Sequence, residues 1–488
     1  MSAPRRILVL SAEVAPFAKT GGLGDVAGAL PKALARQGHD VRVVMPAYQE
    51  QERAARSGEG GFAQFPGGLT VHTGAGPLQA GVLQTTLPGS DVPLYLIAES
   101  SLFDRPNIYG YDDDPYRFAF FSRAALQLTA ALGWRPDVVH AHDWHAAPAV
   151  MWLDTAGRGD GRFRGVATVF TIHNLAHQGR SSRRVLRYLG ADAPPLLEES
   201  GWDEVNFMAR GIYHATQVNT VSPTYAREIM TKDGGNGLDP LLRARHHDVH
   251  GILNGLDDDV WNPATDARLA QGFDVSHPER RIANKLALQD RLGLEQDSRI
   301  PLVAMVTRLD AQKGMEITGH VIHLLMSGLA GEAQFVVLGT GAQRYEDAFA
   351  HLAGYHPRKM AAVLTFASDL APKIYAGSDL FLMPSLFEPC GLGQMIAMRF
   401  GSVPVVRSTG GLADTVRDGK TGFTFDAFTV PAFWVALQRA LPVYNTDADG
   451  WARLQRNGMS SDFSWFGAAR GYAELYERAL ARALGNLV

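Results

Sequence analysis

Residues 379–415, DLFLMPSLFEPCGLGQMIAMRFGSVPVVRSTGGLADT, constrain this chain more than any other stretch. Two short apolar runs, 380–383 and 403–406, each lead into a loop that ends in glycines and then into a segment of helical character. Short continuous apolar runs bounded by turn signals predict buried strands, so the order reads strand, loop, helix, twice over. Both loops then lie at the carboxyl ends of parallel strands, the edge where open α/β sheets bind ligands. Glycines just ahead of a helix expose backbone N–H groups, which suits a phosphate or a polar sugar. Glu388 is the carboxylate of the first loop.

The same rhythm recurs from the start of the chain. Residues 7–10 predict a strand, 11–24 a loop, 25–37 a helix stopped by Gly38, and 41–45 a second parallel strand. This βαβ unit carries Lys19-Thr-Gly21-Gly22-Leu-Gly-Asp25 to the sheet edge. Gly22 to Ala27 matches the dinucleotide fingerprint G-x-G-x-x-A, so a nicotinamide-dependent oxidoreductase is one reading. Against it, the preceding loop is oversized, and the second strand ends Met45-Pro-Ala-Tyr48 without an acidic residue for a ribose. Residues 57–90 predict hairpins. Asp112, Asp113 and Asp114 could mimic a metal-binding acidic motif, but they fall in what reads as a solvated turn ahead of a helix.

Two adjacent strands end in polar groups. Residues 138–142 run into His142-Asp143-Trp-His145, and 167–172 deliver His173-Asn174. Imidazole and carboxylate are zinc ligands, which makes a metal site the alternative. His140 and His142 share one strand face, however, and no further ligand is evident, so the convergence predicts a polar pocket. Ser222 and Pro223 predict a helix start, 248–253 a last strand, and the turn-rich residues 254–263 a hinge. The second half repeats the alternation: 302–306 ends in a loop bearing Arg308 and Lys313, and 335–338 ends Gly339-Thr-Gly341. A guanidinium and an ammonium on one such loop suit phosphate oxygens. Residues 464–484 predict an amphipathic helix, with Trp465, Ala468, Tyr472, Leu475, Tyr476 and Ala479 at three- and four-residue spacing.

At 488 residues the chain exceeds one ordinary core and suits two domains. A net charge of −4, from 46 basic and 50 acidic residues interspersed, leaves no basic footprint for nucleic acid or an anionic membrane. One cysteine, Cys390, excludes a disulfide framework and fits a reducing cytoplasm. Residues 7–10 are too short for a signal or membrane segment, and the expectation is a cytoplasmic enzyme.

FEPCGLGQ at 387–394, STGGLADTV at 408–416 and KTGGLGDV at 19–26 together resemble the retaining starch/glycogen synthase family of glucosyltransferases. Similar motifs extend from residue 7 to about residue 476. The resemblance implies an α/β GT-B fold: two Rossmann-like domains, residues 1–253 and 264–461, facing across a deep cleft about a hinge at 254–263. It also implies that residues 462–488 form a helix packing back on the first domain. The implied reaction moves glucose from ADP-glucose to the non-reducing-end 4-hydroxyl of an α-1,4-glucan such as glycogen, with retention and without metal or other cofactor. By the same carry-over, His173, Arg308, Lys313 and Glu388 are catalytic. Lys19, Gly21, Gly22, Asp25, Asn254, Gly391, Thr409, Gly410 and Gly411 contact the donor, the loop N–H groups at 409–411 meeting the phosphates. His142, Asp143 and Asn174 line the cleft near the acceptor. Many related transferases carry a second glutamate eight positions after the first; this chain has Ile396 there, which leaves ADP- against UDP-glucose open. A metal-dependent transferase and a non-catalytic glucan-binding protein also stay open, although the basic cluster disfavours the second, because a neutral glucan needs no anion site.

Overall fold

Strands of a parallel sheet are covered on both faces and therefore need near-continuous apolar sequence. In the computed structural model, which describes residues 3–199 and 201–485, the apolar runs form such strands. The chain divides into two units: residues up to 255 together with those from 465 onward, and residues 256–464.

The first unit contains β1 (Arg6–Leu10), β2 (Asp40–Pro46), β3 (Ala63–Gln64), β4 (Leu69–Thr73), β5 (Gly76–Thr86), β6 (Pro93–Ala98), β7 (Val138–His142), β8 (Ala167–Ile172), β9 (Arg180–Ser182), β10 (Glu204–Asn206), β11 (Gln217–Thr220) and β12 (Val249–Gly251). The large sheet has the order β12-β11-β8-β7-β1-β2-β6-β5-β3, with β4 beside β5. It is parallel from β12 to β6, whereas β3, β4 and β5 pair antiparallel as the predicted hairpins. After β1 the chain builds outward through β2 and β6, then returns to β7 on the opposite side of β1. This reversal is a topological switch point, where the loops after β1 and β7 splay apart and leave room for a ligand.

The second unit repeats the scheme with β13 (Leu302–Val306), β14 (Gln334–Leu338), β15 (Met360–Val363), β16 (Leu380–Met383), β17 (Val403–Arg407) and β18 (Phe423–Phe425). Its order is β15-β14-β13-β16-β17-β18, all parallel, so the switch point lies between β13 and β16.

Several boundaries differ from the sequence expectation. The first helix spans Gly22–Arg36 and begins three residues early, with Gly21 extended ahead of it and Gly22 and Gly24 inside its first turn. Glycine has low intrinsic helix propensity, but packing overrides it, as Gly24 lies close against Lys19. β12 is shorter than residues 248–253, although Ile252 N–H still reaches the carbonyl of Thr220 at 2.9 Å. Asp114 is not solvated: it is buried, accepts the Gly110 N–H at 2.8 Å and pairs with Arg117.

The terminal helix, Trp465–Gly485, packs on the first unit and buries Trp465, Tyr472, Leu475, Tyr476 and Leu480, while Ala468 lies at the edge of that stripe. Its polar groups reach the sheet as well: the Tyr476 hydroxyl bonds His140 Nδ1 at 2.8 Å, and Tyr472 accepts from Asn219 Nδ2 at 3.0 Å. Glu477 accepts two bonds from Arg5, at 2.8 and 2.7 Å. Burying one large apolar side chain contributes about 1.5–3 kcal/mol, and a domain is stable by only about 5–15 kcal/mol in total. Deleting residues from 465 onward is therefore expected to leave the first unit unfolded or aggregated. Soluble yield and thermal melting check this, and a truncated chain melting within a few degrees of the full one would contradict it.

Candidate active site

At the switch point of the second unit, the loop after β13 meets the loop after β16. Gly314, at φ +79°, lies against Pro384, where an added Cβ would sit 2.1 Å from the Pro384 carbonyl oxygen. The Leu386 N–H closes the junction on the carbonyl of Gln312 at 2.8 Å. Across it, Lys313 Nζ contacts Glu388 Oε2 at 2.6 Å, and Ser385 Oγ donates to the same oxygen at 2.9 Å. Glu388 is only 5% exposed, and these two donors meet its carboxylate inside the fold. Arg308 extends from the same loop, more than half exposed, with Nη1 3.1 Å from Asp310 Oδ2.

The glycines after β17 bring two backbones together. The N–H of Gly411 donates to the Glu388 carbonyl at 3.1 Å and that of Thr409 to the Arg407 carbonyl at 3.0 Å, so these two donors are engaged within the protein. An added Cβ on Gly410 would sit 1.9 Å from the Glu388 oxygen, and one on Gly411 2.1 Å from that of Cys390. Their absent side chains let the third loop lie directly on the Glu388 backbone. Gly391, at φ +72°, turns the loop after β16 into the helix Gly393–Arg399, where Gln394 Nε2 donates to the carbonyls of Cys390 and Gly391 at 3.1 and 2.8 Å. Ile396 is buried in this helix.

In the first unit, the loop after β1 is organised by Glu13, a residue that no sequence motif marks. Glu13, buried, accepts the N–H groups of Thr20 and Gly21 at 2.6 and 3.2 Å, the Thr20 hydroxyl at 2.7 Å, and the Tyr109 hydroxyl at 2.7 Å. The loop is thus wrapped around an internal carboxylate, with Gly22 opening the helix. Lys19 and Asp25 form an ion pair on its outer side at 2.7 Å.

The neighbouring edge brings together His142, Asp143 and His173. His142 Nδ1 and His173 Nε2 lie 2.8 Å apart, and Asp143 Oδ1 accepts the His173 N–H at 2.7 Å. Asp143 takes φ +56° where β7 passes into a helix, a strained backbone of the sort functional sites retain. Burial pushes the Asp143 carboxyl up to about 7, opposed by the N–H groups of His173 and Asn174. Burial lowers His173 and His140 to about 3 and holds His142 well below the usual imidazole range. His140 is engaged at both ring nitrogens, by Tyr476 and Thr171, and His142 at Nδ1 by His173, while among the described residues no hydrogen-bond partner meets His142 Nε2. Asn254 is buried, and among the described residues no hydrogen-bond partner meets its Oδ1.

Beyond this edge a groove follows residues 176–182. At one end its walls include His177, Gln178 and Asn236; Trp144, Gly179 and Arg180 are common to its length; Tyr116, Ser181 and Ser182 close the other end. Gly179, at φ +60°, lies on the Trp144 indole, where a Cβ would fall 2.1 Å from the ring.

The family description "Starch synthase catalytic domain" matches residues 6–244, and "Glycosyl transferases group 1" matches residues 300–442. The chain is 44% identical over 493 residues to the glycogen synthase of Geotalea uraniireducens (strain Rf4), covering 98% of this chain and 99% of that protein. It is 40% identical over 485 residues to the glycogen synthase of Thermotoga petrophila, covering 98% and 99%. The catalytic domain of starch synthase IV from Arabidopsis thaliana, solved with ADP and acarbose, superposes with a TM-score of 0.90 at 36% identity, covering 98% of this chain and all of that one. Sucrose-phosphate synthase from Thermosynechococcus elongatus, at 18% identity and a TM-score of 0.60, shares the fold.

The buried titratable groups make stability depend on pH. His140, His142 and His173 stay neutral when folded but take up protons near pH 6.5 when unfolded, so the stability they contribute is full above about 6.5 and is lost as pH falls. Asp143 has the opposite sign: its folded value is raised, so its contribution is present below about 4 and lost as pH rises through about 7. Three imidazoles outweigh one carboxyl. The urea midpoint is expected to fall between about pH 7.5 and about pH 5.5, and to fall further in Asp143→Asn, which lacks the opposing group. A midpoint indifferent to pH would show that these imidazoles titrate normally in the fold.

Proposed function

The chain belongs to the starch and glycogen synthase family of glycosyltransferases, and on that premise we propose that it transfers glucose from ADP-glucose to the non-reducing-end 4-hydroxyl of an α-1,4-glucan, with retention at the anomeric carbon. The observation that carries the reading is the Lys313–Glu388 pair at the switch point of the second unit, with Arg308 on the same loop.

Breaking the bond between the anomeric carbon and the phosphate develops negative charge on the diphosphate and positive charge on the sugar. Lys313 and Arg308 are placed on one short loop to meet the first charge, as preorganised cations do without reorganisation during the reaction. Glu388 faces the second and orients the donor glucose, while its present bond to Lys313 keeps that ammonium at the site. In the front-face course we favour, the acceptor 4-oxygen bonds the anomeric carbon as the diphosphate oxygen leaves. The hydroxyl proton passes to the departing diphosphate.

An exposed aromatic supports a nucleotide at this edge. Phe366 is 89% exposed three residues beyond β15, two strands from β13. Neighbouring strands are spaced about 4.8 Å apart, so β15 and β13 lie roughly 10 Å apart across the sheet, and Phe366 leaves the same edge as the cationic loop, where we assign it to the base. With Ile396 buried at the position where related enzymes have a carboxylate, the chain offers no anion there for a ribose hydroxyl.

On the first unit we assign Lys19, Gly21, Gly22 and Asp25 to a donor-contacting loop that Glu13 holds in shape, and Asn254 to a donor contact. His142, Asp143, Asn174 and the groove along 176–182 are assigned to the glucan. His173 is assigned to the donor sugar, its ring oriented by His142.

Neutralising a cation that stabilises only the transition state lowers kcat more than donor binding. Arg308→Ala and Lys313→Ala are each expected to lower kcat on the order of a hundred- to a thousandfold, Arg308→Ala with thermal melting unchanged and Lys313→Ala with a lowered melting temperature, because it leaves Glu388 without its cation. A rise in donor KM with kcat within a few-fold of the parent would leave these residues as donor ligands only. Because fixed cations take the part a metal plays elsewhere, release of ADP from ADP-glucose with glycogen should persist in excess EDTA. Activity lost in EDTA and restored by manganese would overturn that assignment.

A further inference from the structure

The widely exposed aromatic side chain nearest in sequence to the groove walls lies outside the residues assigned above. Trp202 is 86% exposed and Leu197 fully exposed on the segment between residues 190 and 204. Single exposed apolar side chains are ordinary on a protein surface, so it is the place of this one that matters. The anchor is Glu199, whose buried carboxylate takes Arg210 Nε and Nη2, both at 2.7 Å, and the N–H groups of Leu196 and Asn206 at 2.9 and 3.2 Å. The tip is thus presented from a fixed base.

Strand pairing locates that tip relative to the groove. β9 and β10 run antiparallel with Glu204 opposite Ser182 and Asn206 opposite Arg180, and the Arg183 N–H reaches the Asp203 carbonyl at 2.8 Å. Residues preceding Glu204 therefore lie past the Ser182 end of the groove. At the other end, residue 176 follows directly on His173 and Asn174. One wall of the groove thus leads from the reactive edge at 174 to Ser182, along eight residues that span at most about 27 Å, and Trp202 lies beyond that end. Within that wall Trp144 is largely covered, with Gly179 on its face and Phe118 against its edge, so it offers little ring surface to a sugar.

We infer that Trp202 is an outer glucan subsite, a stacking platform for sugar units of a long acceptor whose non-reducing end occupies the His173–Asn174 edge. The inference rests on the acceptor reading of the groove. A pyranose presents an apolar face of C–H groups that packs on an indole, and Trp is suited to it because few rotors are lost on contact. The subsite therefore discriminates by chain length: short acceptors end inside the groove, and long ones reach the ring.

Trp202→Ala, Trp202→Phe and, within the groove, Arg180→Ala test it in the full-length chain, by acceptor KM for maltotriose and for glycogen at saturating ADP-glucose. Trp202→Ala is expected to raise the glycogen KM about tenfold with maltotriose KM, donor KM and kcat unchanged, and Trp202→Phe to restore most of the loss. Arg180→Ala is expected to raise KM for both acceptors. If Arg180→Ala does so while Trp202→Ala changes neither KM, or both alike, the outer subsite is wrong and the groove assignment stands. If Arg180→Ala leaves both KM values at the parent level, the groove assignment fails and the subsite fails with it.

Discussion

A carboxylate as buried as Glu388 is tolerable only beside a compensating charge, and the bond from Lys313 supplies it. Much of the second unit's ligand edge follows from that one contact. The lysine must arrive from the loop after β13, so that loop turns at Gly314 onto Pro384; the loop after β17 must then approach the Glu388 backbone closely, which Gly410 and Gly411 permit. Three loops from three strands are thereby locked around one ion pair. The pair also sits at the strand-order reversal, where the sheet itself leaves space.

The first unit solves the matching problem with the charge inverted in role. Glu13 lies inside its loop and gathers four donors, shaping the Lys19–Asp25 turn from within. The neighbouring histidines are neutral by burial, and neutral imidazoles can be both donor and acceptor, which is what lets His142 and His173 bond one another. Tyr472 and Tyr476 extend this polar layer into the terminal helix, so the helix contributes hydrogen-bond partners to the sheet as well as apolar area.

Strands are the most legible elements in the amino-acid sequence. Residues 167–172, 302–306 and 380–383 match β8, β13 and β16 because a doubly covered strand is predominantly apolar, with Thr168 and Thr171 the polar exceptions in β8. The Ser222 cap is equally plain, since its hydroxyl accepts the Tyr225 N–H at 3.2 Å. Less legible is the use made of glycine. A glycine-rich loop ahead of a helix reads as a row of free N–H groups, yet at 409–411 steric approach of two backbones governs, a property of the partner loop and invisible locally. Glu13 escapes notice for a similar reason: a lone acid after a strand carries no pattern until Tyr109 and Thr20 are folded around it. Phe366 and Trp202 escape it because exposure, not residue type, is what distinguishes them.

The first unit is discontinuous in the chain. Its last helix is encoded after the whole of the second unit, so a ribosome finishes the second before the first can be completed. At about 5–20 residues per second, the intervening residues 256–464 occupy roughly 10–40 s of synthesis. Throughout that interval His140, Asn219 and the apolar seat of Tyr472 and Tyr476 have no cover, on a nascent sheet that has otherwise been translated. The fold therefore carries a built-in waiting period, in which the sheet's open face is a substrate for chaperones and the final turns of the chain act as the latch.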